Sequence, residues 1–488
     1  VTVAGLARRA ALLMAATLAM LAPLPAQAAA LAPCRLAGVQ HEVLCGSIER
    51  PLDPAAPSGT RIEVHYAVLP ALARHKKPDP VFFFAGGPGQ SAIELAGTLS
   101  RGLARLGQRR DLVLIDQRGT GRSAPLECKP TPPTAPLAEG QPERQFARLE
   151  ACRAALAQLP HGDLRHYTTW VAMQDADAVR RALGAERINL VGASYGTRAA
   201  LEYLRQFPQA VRRVVLDGVA PPDMVLPAAF STDNQAALDA LFAACAQEPA
   251  CAMRHPRLRD DWARLLAGLP REAVLAHPVT GAPERLTITR DMVLALVRAP
   301  LYVPALAAAL PLAVGAAAEG RFEALAGLAA AVGGGGRRLA LAEGMHMSVV
   351  CSEDLPRLER SADAPGADFG AGFAALYRRV CAGWPRGAVP EAFYALGAAP
   401  APALLLSGGA DPATPPRHGE RVARALGPAA RHVVVPHAGH GLMFLPCLRD
   451  VVFRFIDMPD AAAAAAAEAD CARALPRPGV FVPVEAPR

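Results

Sequence analysis

The run Ile188-Asn189-Leu190-Val191-Gly192-Ala193-Ser194-Tyr195-Gly196-Thr197 constrains this chain more than any other segment. Its apolar start reads as a buried strand, which passes straight into G-x-S-x-G. Arg198-Ala199-Ala200-Leu201 then opens a helical pattern. A serine at such a junction sits on a strained turn with its hydroxyl presented, and the flanking glycines let strand and helix approach closely. It also lies at a helix N-terminus, whose dipole favours developing negative charge. The segment therefore demands a sheet backed by helices, and it makes Ser194 a candidate nucleophile rather than a structural turn serine.

The rest of the chain supplies such a sheet. Short apolar runs at 61–68, 81–84, 112–115, 188–191, 214–216, 403–406 and 432–435 have the length and composition of strands covered on both faces. Helical patterns lie between them, notably at 171–183 and 198–206. This alternation predicts an α/β fold with a mostly parallel central sheet. From 225 to 398 the strand signals fade into alanine- and leucine-rich helical patterns at 233–246, 259–269 and 290–297. The uncharged run 301–318 has the length of a membrane span, but Pro304 and Pro311 interrupt it, so broken helices are expected. Gly333–Gly336 reads as a flexible joint, and the alanine tract 461–467 as a low-complexity helix former. The expected organisation is a leader at 1–28, a core in two parts at 29–222 and 399–488, and a helical lid at 223–398.

The leader expectation rests on Arg8 and Arg9, the uncharged stretch 10–22, and Pro23 and Pro25 before Ala26-Gln27-Ala28, a small-x-small cleavage pattern. It predicts an exported bacterial protein, periplasmic or secreted, without a stable membrane anchor. Lipidation at Cys34 fits poorly because Pro33 precedes it. Export gives meaning to ten cysteines, since oxidising compartments preserve disulfides. In chain order they fall into the near neighbours Cys34/Cys45, Cys128/Cys152, Cys245/Cys251, Cys351/Cys381 and Cys447/Cys471. Local staples are the preferred reading, although sequence alone leaves the connectivity open. No C-x-x-C spacing supports a zinc ribbon or a thioredoxin-like motif. With 52% hydrophobic and 19% charged residues, wholesale disorder is excluded. All but three of the 51 basic residues are arginines, and they form no stripe, so the net charge of +7 is no nucleic-acid footprint.

The chemistry of an activated serine needs partners. Phe82-Phe83-Phe84-Ala85-Gly86-Gly87-Pro88-Gly89 joins a hydrophobic strand to a glycine-rich loop, which lacks the G-K-[ST] ending of a phosphate loop. Acyl transfer requires amide donors aimed at a tetrahedral oxyanion, one from such a loop and one from the residue after the nucleophile. Gly87 and Tyr195 are the candidates. The acid and the histidine follow the nucleophile in chain order in this type of sheet. Asp411 follows the strand at 403–406 within Asp411-Pro412-Ala413-Thr414-Pro415, and His440 follows the strand at 432–435 within His437-Ala438-Gly439-His440-Gly441. Asp217, after the strand at 214–216, is the rival acid, and His437 the rival base. Two histidines at that spacing without H-E-x-x-H do not make a metal site.

Together these pieces resemble the proline iminopeptidase and tripeptidyl aminopeptidase family of α/β-hydrolase serine peptidases. The carrying motifs are Gly86-Gly87-Pro88-Gly89, Asp116-Gln117-Arg118-Gly119-Thr120-Gly121-Arg122-Ser123, Gly192-Ala193-Ser194-Tyr195-Gly196, Asp411-Pro412-Ala413-Thr414-Pro415 and His440-Gly441. The similarity spans about Cys34 to Cys471 and is greatest to the secreted, larger-lid branch, through Cys245/Cys251, Val349-Val350-Cys351-Ser352-Glu353 and Cys447/Cys471. One departure is Ala85, where smaller members carry histidine before the two glycines; it leaves the backbone donors intact and bears on how their loop is braced. The resemblance implies an α/β-hydrolase fold with an inserted helical lid and a Ser194–His440–Asp411 triad, with no metal or organic cofactor. It also implies a peptide substrate with a free N-terminus, which calls for a carboxylate near the lid. Glu353, with Asp354 beside it, and Glu202 are the candidates, against the bland reading of surface acids.

The expected function is therefore exopeptidase cleavage near a free N-terminus through an acyl-enzyme at Ser194. A carboxylesterase or lipase on the same triad is the alternative. A non-catalytic binding protein on a hydrolase scaffold is the third reading.

Overall fold

The computed structural model describes residues 31–481, apart from 130–140, 277–280, 333–340, 399, 461, 463, 465 and 467. The expected leader, the glycine joint at 333–336 and four of the seven residues of the alanine tract lie outside the described residues.

Nine strands form one sheet: β1 (Ala32–Cys34), β2 (Val43–Pro51), β3 (Arg61–Leu69), β4 (Val81–Phe84), β5 (Leu112–Ile115), β6 (Ile188–Ala193), β7 (Val211–Asp217), β10 (Ala403–Gly408) and β11 (Ala430–Val435). Their spatial order is β1-β2-β3-β5-β4-β6-β7-β10-β11. The first four in that order pair antiparallel, and from β5 to β11 every pairing is parallel. Alternating side chains feed two cores. Phe82, Phe84, Leu190, Val214, Leu216 and Leu405 point to one face. Val81, Phe83, Val191, Val215, Leu404 and Leu406 point to the other. This is the period-two pleat of a sheet covered on both sides.

All seven expected strands are present. The sequence reading missed β1 and β2, which form the antiparallel edge, and it also missed a separate antiparallel pair, β8 (Arg271–Ala276) and β9 (Pro283–Ile288). Those two are short and alternate with charged, exposed residues, so they carry little apolar signal.

Between β7 and β10 the chain leaves the sheet and is mainly helical. It builds its own core from Leu238, Phe242, Trp262, Val293, Val297, Val314 and Phe322, among others. The run at 301–318 is broken at its prolines into helices Pro304–Ala307 and Leu310–Ala318. Among the described residues no helix is long and apolar enough to cross a membrane.

The disulfides join Cys34 to Cys45, Cys128 to Cys152, Cys245 to Cys251, Cys351 to Cys381 and Cys447 to Cys471, with no free cysteine among the described residues. Local in sequence, they are not all surface clips. Cys152 is buried on the helix Pro142–Leu156, on the same inward face as Leu149 and Leu156, and half-buried Cys128 packs against the core that holds it. Cys245, Cys251, Cys351 and Cys381 are buried as well. These five sulfurs therefore serve as core packing in addition to cross-linking, as the apolar character of cysteine allows. None of them is open to a substrate or a metal ion.

Candidate active site

Parallel strands deliver their following loops to one edge of a sheet, where side chains from distant segments can converge. Here the loops after β4, β6, β10 and β11 bring together Gly87, Ser194, Asp411 and His440. The serine turn is the tightest of them. Ser194 has φ 55° and ψ −125°, a conformation L residues rarely adopt and one that accompanies function when the surroundings enforce it. The enforcement is visible. Ser194 N–H donates to the Asp217 carbonyl at 2.8 Å, and Thr197 Oγ1 donates to the Ser194 carbonyl at 2.6 Å. A Cβ on Gly196 would stand 2.0 Å from the Phe84 carbonyl oxygen, and one on Gly192 would stand 2.3 Å from that of Gly196. Only glycine at these two positions lets the helix Tyr195–Gln206 seat against β4 and β6.

The acid and base meet on the neighbouring loops. Asp411 Oδ2 lies 2.8 Å from His440 Nδ1. The same oxygen accepts from Thr414 Oγ1 at 2.7 Å, and Oδ1 accepts the amides of Ala413 and Thr414 at 2.8 and 2.9 Å. Burial pushes the Asp411 pKa up, but the His440 charge and these hydrogen bonds outweigh it and hold the carboxyl below its usual range. For His440, burial pushes the pKa down; the Asp411 charge and hydrogen bond, joined by the Asp217 charge, push it further up, so the net displacement is upward. The register of β6 against β7 pairs Ala193 with Asp217, so Ser194 emerges beside Gly218. A Cβ on Gly218 would lie 3.2 Å from His440 Cε1, which places the imidazole at the serine turn.

Asp217, the rival acid, has a different job. Its two oxygens accept the Leu442 amide at 2.8 and 2.9 Å and the Met443 amide at 2.9 Å, fixing the loop just beyond His440. Burial raises its pKa to about 6 against the pull of those amides. His437 is exposed and makes no contact with Asp411.

The glycine loop after β4 stands over the serine: a Cβ on Gly86 would approach Ser194 Cβ to 3.2 Å. Gly87 has φ +109°, which directs its amide in a way an L side chain would resist. Ala85 offers this loop no polar brace. Gln90 Oε1 accepts the Gly86 amide at 3.3 Å, and further support comes from the helical insertion. Ala342 N–H donates to the Gly89 carbonyl at 2.8 Å, and His346 Nδ1 sits 3.3 Å from the Pro88 carbonyl. His346 Nε2 is in turn 2.7 Å from the Tyr377 hydroxyl. A tyrosine donating to Nε2 leaves the proton on Nδ1 for Pro88. The insertion also reaches the histidine loop. The Tyr302 carbonyl accepts the His440 amide at 3.1 Å, and the Tyr302 ring meets the imidazole edge-on at 5.3 Å between centroids. Sequence reasoning missed His346 and Tyr302, for which no local motif exists.

The D-Q-R-G-x-G-x-S stretch proves to be internal scaffolding. Asp116 Oδ1 accepts from Ser91 Oγ at 2.6 Å and the Ile93 amide at 3.1 Å, bracing the end of the glycine loop. Gln117 Oε1 accepts from the Tyr195 hydroxyl at 3.5 Å. Arg118, which alone would read as a solvated arginine, is 1% exposed. It grips both Asp175 oxygens at 2.7 and 3.0 Å and donates to the Leu52, His166 and Pro51 carbonyls.

Neither candidate for binding a substrate amine is a surface acid: both are fully buried. Glu353 is fully buried beneath Tyr195: Oε1 accepts the Thr169 amide at 2.6 Å, and Oε2 accepts from Thr169 Oγ1 at 3.0 Å with Arg198 at 3.3 Å. Burial is the main reason its pKa rises to about 7. Asp354 shares Arg198 at 3.0 Å. Glu202 lies two turns down the helix from Ser194, held by Arg205 at 2.8 and 2.9 Å and by Gln206 at 2.6 Å. It borders a cavity of about 490 Å³, lined also by Phe393 and Leu396.

A nucleophile elbow, a glycine loop and an acid–histidine pair on the carboxyl edge of a parallel sheet define a class, and the sequence bears it out. Residues 79–446 match the family model described as the alpha/beta hydrolase fold, and the chain belongs to that family. Its relatives include proteins named as serine protease, tripeptidyl aminopeptidase and carboxylesterase. It is 30% identical over 207 residues to the serine protease Hip1 of Mycobacterium tuberculosis, covering 39% of each chain. It is 31% identical over 196 residues to the tripeptidyl aminopeptidase of Streptomyces lividans, covering 37% of this chain and 36% of that one. It is 27% identical over 225 residues to carboxylesterase B of Mycobacterium tuberculosis, covering 42% of each. The matched stretch thus spans well under half of these relatives' lengths.

Proposed function

We propose that this protein is an exported serine exopeptidase that cleaves peptide bonds near a free N-terminus. The observation that carries the reading is the Asp411–His440 pair, 2.8 Å apart and set beside the Ser194 turn. In this reading His440 takes the Ser194 proton as the hydroxyl attacks the scissile carbonyl. The amides of Gly87 and Tyr195 hold the oxyanion, and His440 then protonates the leaving amine. A water deprotonated by His440 releases the acyl group. Asp411 fixes the imidazole with its proton on Nδ1 and stabilises its charged form. The insertion at 223–398 acts as the lid. Peptide rather than ester chemistry is supported by the relatives named serine protease and tripeptidyl aminopeptidase. Export is supported by five disulfides.

A specific observation favours a second reading, an esterase for uncharged acyl groups: Glu353 and Glu202 already have arginine partners, and one relative is named carboxylesterase B. Peptidyl anilides with free and acetylated N-termini, alongside p-nitrophenyl acyl esters, separate the two. Turnover that disappears on acetylation supports the exopeptidase. Equal or faster turnover of acetylated peptides or plain esters overturns it.

A further inference from the structure

Most buried arginines of this molecule are neutralised by carboxylates: Arg110 by Asp79 and Asp457, Arg118 by Asp175, and Arg198 by Glu353 and Asp354. Arg213, also buried, spends its guanidinium on the Arg212, Met458 and Asp460 carbonyls. Arg298 differs from both kinds. It is half-buried near the end of the helix Arg290–Leu301, and among the described residues no carboxylate ion-pairs with it. Its guanidinium instead hydrogen-bonds the Tyr302 hydroxyl and lies 5.9 Å from the centroid of the Phe373 ring, which leaves its charge without an anionic partner. A π face offsets little of the hydration that a guanidinium loses on partial burial, whereas a carboxylate would meet it with paired, charge-assisted hydrogen bonds.

Its position ties it to both catalytic loops. Phe373 stacks with Tyr377 at 4.9 Å, Tyr377 holds His346, and His346 reaches the Pro88 carbonyl of the glycine loop. On the other side, Tyr302 follows Arg298 by four residues, one helical turn, and its ring meets that of His440. Arg298 is thus connected through Tyr302 to the His440 loop, and through Phe373, Tyr377 and His346 to the glycine loop. Phe373, Tyr302, His346, Ser194 and His440 are all partly exposed, as residues lining one cleft would be.

We infer that Arg298 is a specificity residue that binds a carboxylate of the substrate while its carbonyl is held at Ser194. The inference rests on the hydrolase reading above and deepens it. Two sources share the chemistry: the terminal carboxylate of a short peptide and the side chain of an acidic residue.

The test uses the full chain, with Arg298→Gln and Arg298→Lys compared with wild type and thermal denaturation as the control for folding. One pair of free-N-terminus peptides differs only in ending with carboxylate or carboxamide; a second pair differs only in carrying Glu or Gln. The readout is the ratio of kcat/KM within each pair. Wild type should favour the charged member, and Arg298→Gln should shrink that ratio by roughly ten- to hundredfold, the loss of a charge-assisted hydrogen bond. Arg298→Lys should restore part of it as a point charge. The pair that responds identifies the source. A ratio that is flat in wild type, or unchanged in Arg298→Gln, overturns the inference. If wild type hydrolyses no peptide at all, the exopeptidase reading has failed. Half-esters of dicarboxylic acids set against neutral esters then put Arg298 to the same ratio test.

Discussion

Two buried carboxylates flank His440, and their hydrogen bonds separate their roles. Asp411 touches the imidazole; Asp217 touches only the backbone beyond it. Asp411→Asn should lower kcat/KM by about 10⁴ with an intact fold, because the amide favours the wrong imidazole tautomer. Steady-state kinetics with a circular-dichroism melt checks this. Asp217→Asn should cost far less in rate. The pH profile gives the sharper distinction. His440 acts as a base only when neutral, and its pKa is raised, so kcat/KM should fall as pH drops through a value above the ordinary 6.5. Part of that rise comes from the Asp217 charge, so Asp217→Asn should move the acid limb to lower pH, whereas a purely structural loss would leave its midpoint in place. The apparent midpoint belongs to the coupled pair rather than to either group alone. At this scale the sequence was legible where chemistry follows a strand. Ser194, Asp411 and His440 each sit in a loop directly after one, and strand runs announce themselves. The substrate acid was not legible, because whether Glu353 faces a cleft or an arginine depends on a helix over 150 residues away in the chain.

Helices and loops tell a different story, since the glycine loop after β4 is braced by a segment that local sequence does not connect to it. Ala342 and His346 hold Gly89 and Pro88 from the proposed lid. His346→Ala should therefore lower kcat by about tenfold or more, less than the loss of an oxyanion donor itself, and leave KM nearly unchanged. A boronic acid that forms a tetrahedral adduct with Ser194 should lose affinity in parallel, measured by inhibition. An equal rise in KM with unaltered boronate affinity would show that the contact serves only substrate binding. The same scale explains the missed strands. β2 reads Val-Leu-Cys-Gly-Ser-Ile-Glu-Arg-Pro, half-exposed with a glycine inside and a proline at its end, so neither the apolar run nor the alternation of a covered strand appears. The buried parallel strands, apolar on both faces, could hardly be mistaken.

For the molecule as a whole, the disulfides are distributed rather than clustered. Cys34–Cys45 ties β1 to β2, and Cys128–Cys152 anchors the helix Pro142–Leu156 to the chain just beyond the D-Q-R-G-x-G-x-S stretch. Cys245–Cys251 and Cys351–Cys381 lie within the insertion, and Cys447–Cys471 secures the C-terminal helix. The near-neighbour order of the cysteines disclosed these partners, but not that Cys152 and the insertion cysteines would be buried, since depth depends on which helix face turns inward. A staple of this kind stabilises by roughly 2–4 kcal/mol. Full reduction should therefore lower the melting temperature by many degrees and abolish activity at growth temperature, read by differential scanning calorimetry with and without a thiol reductant. Near-identical melts would show that the packed cores suffice.

The Tyr302 carbonyl that accepts the His440 amide has one more consequence. In the proposed reading, an insertion bonded to the His440 loop on one side and to the glycine loop on the other would disturb both loops if it swung clear. Substrate would then enter past the insertion while it stays in place, as thread enters a needle's eye. Such an entrance would favour loose chain ends over folded domains, so selection by size would precede any selection by sequence.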